Sequence, residues 1–272
     1  IGEYVGVVDT LGCRLGIEST ERIIVPRIIE FLSKLKSQTL LQSIIRSTLW
    51  KVLIKRGGPK CFLRQFLPLL VTYVTCGTLR NVSMNASGYE SGVSPLWAAG
   101  GAHPEKSDWL HSSASVGLKD IQEAAVLAIS NLALPDALGP GLCIRYVLPA
   151  LLCLVGVPQM ATTGYQLNAD EEYDATMLHL RHSFVTHLAE YRSDDMFVIH
   201  TILGLCSHAG DIATTGVVLP KIFGSILPQL EAQLQTRPTT GTYAALLELF
   251  FLLIGLLPMA SVESVRKHYF LS

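Results

Sequence analysis

The 272-residue chain is 49% hydrophobic and 16% charged, against about 25% charged in ordinary soluble proteins, so it has ample material for a core. Its 21 basic and 22 acidic residues leave a net charge of −1, which excludes a global field that would gather nucleic acid or an anionic membrane. Six cysteines (Cys13, Cys61, Cys76, Cys143, Cys153, Cys206) are scattered through apolar stretches without a CxxC pair. That usage excludes a dense disulfide framework and fits reduced core thiols.

In chain order, the first pattern is Leu15-Gly16-Ile17-Glu18-Ser19-Thr20-Glu21-Arg22-Ile23-Ile24-Val25-Pro26, followed by an apolar run through Ile28, Ile29, Phe31 and Leu32. Leu40 to Ile54 then reads as an apolar helix. The pattern returns at Gly57-Gly58-Pro59-Lys60-Cys61-Phe62-Leu63-Arg64-Gln65-Phe66-Leu67-Pro68, again with an apolar run behind it. Thr75 to Gly117, rich in Gly, Ser and Asn with Pro95 and Pro104, reads as a mobile insertion. Within it Trp97 and Trp109 sit beside Leu96 and Leu110, as aromatic anchors for a partner or as a cover for the chain's own groove.

A helix over Ile121 to Leu134 leads to the third copy, Leu138-Gly139-Pro140-Gly141-Leu142-Cys143-Ile144-Arg145-Tyr146-Val147-Leu148-Pro149. A second irregular stretch runs from Val157 to Asp174, and an extra helix from Ala175 to Tyr191. Phe197 to Cys206 supplies the helix before the fourth copy, Ala209-Gly210-Asp211-Ile212-Ala213-Thr214-Thr215-Gly216-Val217-Val218-Leu219-Pro220. A degenerate fifth copy closes the chain, with Ala260 in the glycine place, Arg266 in the arginine place and Phe270 replacing proline. In each of the first four copies a glycine stands ten residues before the proline.

This pattern describes a helix, a tight turn and a second helix. Glycine takes the left-handed conformation that ends the first helix, Thr, Ser or Asp after it caps the second, and the internal proline removes one backbone bond and bends it. The anchor prolines are 42, 81 and 71 residues apart, the first interval being one unit of a helical repeat and the second about two.

On these residues the chain resembles HEAT and armadillo repeats over most of its length outside the two loops. The "LG…Arg-Tyr-Val-Leu-Pro" form is most similar to the HEAT-like regions of BEACH and WD-repeat trafficking proteins and of the regulatory subunit of the class III phosphoinositide 3-kinase complex. The resemblance implies an α-solenoid of about four to five antiparallel helix pairs with two long loop insertions. It also implies a non-catalytic scaffold that binds a protein partner or neighbouring domains of the same chain, in the cytoplasm at the periphery of endomembranes.

The expected organisation is therefore all-α, with N-terminal repeats over residues 1–75, an irregular insertion over 76–117, and C-terminal repeats of the same solenoid over 118–272. The chain opens at Ile1 and its last apolar run reaches Leu271, so it reads as a piece of a larger protein. Arg22, Arg64 and Arg145, four residues before their prolines, are expected to align into a ladder. Such a ladder either grips an acidic or phosphorylated segment through bidentate bonds or ties neighbouring repeats together.

Other constellations fail on spacing. His179, His182 and His187 do not share one helix face as metal ligands would, and no HExxH occurs. The acidic run at Asp170, Glu171, Glu172 and Asp174 lacks the alternating ligands of a calcium loop. Gly57-Gly58-Pro59-Lys60 and Gly88-Tyr89-Glu90-Ser91-Gly92 match neither a phosphate loop nor a nucleophile elbow. The sequons at Asn81 and Asn85 conflict with the cysteine usage. No cofactor, metal site, catalytic residue or nucleic-acid partner is expected. Leu142 to Val157 and Ala244 to Leu257 read as buried helices, the latter being 14 residues long and containing Glu248. The positive mean hydropathy keeps a membrane-embedded helical subunit as the alternative, although no direct membrane span is expected.

Overall fold

The structure is a computed structural model and describes residues 1–76, 114–155, 196–236, 238–261 and residue 266. Among these residues every regular element is helical. They fall into two compact units, Ile1–Ile129 and Ser130–Ser272. The helix that follows the insertion thus belongs largely with the N-terminal unit. It begins at Ala114, inside the segment expected to be irregular.

In the N-terminal unit, α1 (Gly2–Ser19) breaks at Gly16, where φ is +76° and ψ 175°. A widened turn over Thr20–Ile24 leads into α2 (Val25–Lys34). The stretch read as one helix from Leu40 to Ile54 is two, α3 (Gln38–Ile45) and α4 (Leu49–Gly57). Trp50 explains the break in part, because its buried indole Nε1 donates to the Ile45 carbonyl at 2.7 Å and captures a group a continuous helix would use. Its ring packs edge-on against Phe62 and Phe66. After Gly58 (φ +86°, ψ 154°) come a short turn, Pro59–Cys61, a widened turn, Phe62–Phe66, and α5 (Leu67–Cys76), buried on all sides over Leu67 to Thr75. From α6 (Ala114–Ser130), the Gln122 amide donates to the Val74 carbonyl at 3.0 Å and so satisfies the end of α5.

In the C-terminal unit the third copy forms a turn at Gly139–Leu142, a widened turn at Cys143–Val147 and α7 (Leu148–Leu152). The fourth begins with α8 (Phe197–Ala209). It turns at Gly210 and continues through Asp211–Ala213, Thr214–Val218, Leu219–Lys221 and Ile222–Ile226 to α9 (Leu227–Thr236). Finally α10 (Thr240–Leu256) starts on a reciprocal cap between Thr239 and Thr242.

Two devices recur. The glycines ten residues before the prolines, Gly16, Gly58, Gly139 and Gly210, all have φ between +76° and +86°. At Gly16, Gly58 and Gly210 ψ is near 180°, a region closed to residues with a Cβ. Each glycine carbonyl accepts the amide four residues on, from Thr20, Phe62, Cys143 and Thr214. Side-chain caps from Thr, Ser or Asp after the glycine are not formed at Gly58, Gly139 or Gly210. Asp211 instead spends its carboxylate on the Ser261 amide, 3.0 Å away, linking the turn at Gly210 to the segment that follows α10.

The second device lies before the proline. A proline at position i cannot donate to the carbonyl at i−4 and its ring collides with that carbonyl. The helix opens by one residue, so the amide just before the proline reaches back five residues: Val25 to Thr20, Leu67 to Phe62, Leu148 to Cys143 and Leu219 to Thr214. Leu227 to Ile222, before Pro228, is a fifth instance that lacks the upstream glycine.

First helices pack side by side within each unit. α1 meets α4 where Gly12 leaves no room for a Cβ against Arg56, and α8 meets α10 where Gly255 faces Leu203. Gly204 on α8 sits as closely against Ser130.

Two outcomes test this account. Gly58→Ala is expected to cost about 1–3 kcal/mol in thermal or urea unfolding through backbone strain alone, since a Cβ there meets only Ile17 at 3.8 Å. Gly224→Ala, at an open helical position, is the control and is expected to be neutral or stabilising. Separately, Arg56 Nε donates to Asp9 Oδ1 at 2.6 Å, the side chains being 21% and 40% exposed. That hydrogen bond, with the nearby positive charge, holds the Asp9 carboxyl below its ordinary value against a smaller opposing desolvation. A lowered folded pKa gives stability that is present above the unfolded value near 4 and lost as pH falls through the folded value. Asp9→Asn is expected to melt lower than the parent at pH 7 and to converge with it once the pH has fallen below the folded value.

Candidate interaction surface

The three arginines share a cause of placement but not an environment. Each lies four residues before its proline, on the carbonyl that the proline leaves without an amide, inside a widened turn. Arg22 is exposed. Arg145 is exposed, with its guanidinium 5.3 Å from the centroid of the Tyr146 ring. Arg64 is half-buried, and its Nε is enclosed without a hydrogen-bond partner. Arg22 and Arg64 belong to the N-terminal unit and Arg145 to the C-terminal one. Gly216 holds the corresponding place in the fourth copy, and Arg266 in the degenerate fifth is exposed. Trp97, Trp109, His179, His182, His187 and the acidic run at 170–174 lie outside the described residues.

Chemistry in the core is quiet. Burial pushes the thiols of Cys61 and Cys143 up to about 12, Cys61 with a smaller push from the Glu21 charge. Burial likewise raises the Cys206 thiol to about 11. These groups stay protonated at neutral pH and are packing residues, not nucleophiles. Among the described residues no three His, Cys, Asp or Glu side chains converge as a metal site would require.

The prominent surface is one the sequence reading placed indoors. Ala244 to Leu257 is not a buried helix. α10 buries Thr242, Ala245, Leu249, Leu252 and Leu256, at intervals of three and four, against the rest of the unit. On the opposite side Tyr243, Leu246, Leu247, Phe250, Phe251, Ile254 and Leu257 are 37–58% exposed. The helix is also longer than the apolar stretch suggested, because the Thr239 cap starts it early. Gly241–Met259 is long and apolar enough to cross a membrane by length and composition, with little of it buried inside the protein. The available signal was apolarity on every side of the helix, interrupted only by Glu248, a pattern that gives no single inward stripe. A lesser exposed stripe, Val7, Leu11 and Leu15, runs along α1.

No family model, curated protein or solved structure matches this chain.

Arg64 offers a direct test of ligand against strut. If its guanidinium tied helices together, Arg64→Met would lower the melting temperature. With Nε enclosed and unpaired on a half-buried side chain, Arg64→Met is expected to keep or raise it, since an enclosed orphan donor costs about 1–3 kcal/mol.

Proposed function

We propose that this chain is a non-catalytic protein-interaction scaffold, a HEAT-like α-solenoid of four to five helix pairs that serves at the cytoplasmic face of endomembranes. The observation that carries the reading is the recurrence, in both units, of a glycine at positive φ ten residues before a proline that widens its helix. Repeats made this way stack first helix on first helix, as α1 does on α4 and α8 on α10, and set each turn beside the next, as Asp211 does with Ser261. Such stacks present long faces to partners. Arg22 and Arg145, exposed on widened turns, suit an acidic or phosphorylated segment, and Trp97 and Trp109 supply aromatic anchors.

One observation favours a second reading, a membrane-embedded helical subunit: the length and apolar composition of Gly241–Met259. The two readings part on solubility and on what the chain captures.

An affinity capture from cell lysate should use the chain beside a version with residues 77–113 replaced by a Gly/Ser linker. The scaffold reading expects a soluble chain that enriches a specific protein. Loss of that protein with the linker version assigns recognition to Trp97 and Trp109. Retention, abolished by Arg22→Glu with Arg145→Glu at unchanged melting temperature, assigns it to the arginines. A chain that stays in solution only with detergent overturns the scaffold in favour of the membrane subunit.

A further inference from the structure

We propose that the outer face of α10 is a homodimer interface, closed by the same helix of a second copy running antiparallel. The inference rests on the reading of the chain as a soluble scaffold. Tyr243, Leu247, Phe250, Ile254 and Leu257 repeat at intervals of four, three, four and three, the spacing of a helix–helix seam. Leu246 and Phe251 widen the stripe on either side. Charge is absent from it: the one ionised residue between Gly241 and Met259, Glu248, falls outside the seam.

Size points to a protein occupant. At about 200 Å² for a large apolar side chain, the seven exposed fractions amount to roughly 650 Å² per copy. That reaches the upper end of the apolar patches monomers tolerate, and two copies together would bury on the order of 1,300 Å², a standard interface.

Symmetry selects the partner. The seam is nearly its own mirror about Phe250, with Tyr243 and Leu257 each seven residues away and Leu247 and Ile254 three and four away. An antiparallel pair therefore sets Phe250 against Phe250 and Tyr243 against Leu257, in an isologous contact that closes after two copies. The exposed stripe on α1 is a poorer mate, being three residues long with Glu3, Arg14 and Glu18 exposed on the same helix.

The test is sedimentation velocity over a range of concentration, joined to cysteine crosslinking in a Cys13→Ser background. The expected result is a doubling of mass for the parent chain and a monomer for Phe250→Glu with Ile254→Glu, both at exposed sites, with unchanged helical circular dichroism. Phe250→Cys alone should crosslink to itself. Tyr243→Cys alone should not, its two copies standing about 21 Å apart along the helices; mixed with Leu257→Cys it should crosslink. A soluble parent that stays monomeric overturns the dimer and leaves the scaffold reading standing. Self-crosslinking of Tyr243→Cys overturns the antiparallel register. A chain that stays dispersed only on phosphatidylcholine vesicles, as a monomer, overturns both the dimer and the scaffold.

Discussion

A proline inside a helix leaves one carbonyl without an amide and pushes against it, and the rest of this architecture is arranged around that conflict. Widening the turn by one residue moves the carbonyls of Arg22, Arg64, Arg145 and Gly216 away from their prolines. The preceding amide is rescued by a bond five residues back, so the chain continues as helix without a buried orphan donor. The same widening places an arginine side chain on a bulge in three of the four copies.

The glycine ten residues earlier sets where this second helix points. At Gly58 and Gly210 a single residue ends one helix with its amide and begins the next with its carbonyl, which a positive φ with extended ψ makes possible. No separate loop is needed, so the two helices of a pair are brought together at little entropic cost. Other glycines act through size. Gly12, Gly204 and Gly255 let first helices approach until a Cβ would collide with Arg56, Ser130 or Leu203. Burial in the same interior raises the thiols of Cys61, Cys143 and Cys206.

α10 shows what such packing leaves when one side of a helix stays exposed. Its inner stripe is buried, while its outer stripe is equally apolar and exposed. Exposing such a surface to water is unfavourable in proportion to its area.

The sequence by itself determined the helical class, the place of the four glycine turns and the prolines that follow them. Gly16, Gly58, Gly139 and Gly210 were legible because only glycine tolerates the backbone they adopt, and proline announces its missing amide wherever it stands. Pro228 stands outside the glycine–proline pattern because Val218 holds the place of its glycine. Capping by residues after the glycine was a local expectation, but Asp211 found the Ser261 amide fifty residues away. The break at Arg46 to Thr48 depends on where Trp50 points its indole. Only the tertiary structure decided that Arg64 is half-buried while Arg22 and Arg145 are exposed, and that half of α10 faces outward. Covalent constraints on φ and hydrogen bonding are properties of a residue. Burial belongs to the neighbours that distant segments bring, and a helix apolar all round carries no mark of which side they will cover.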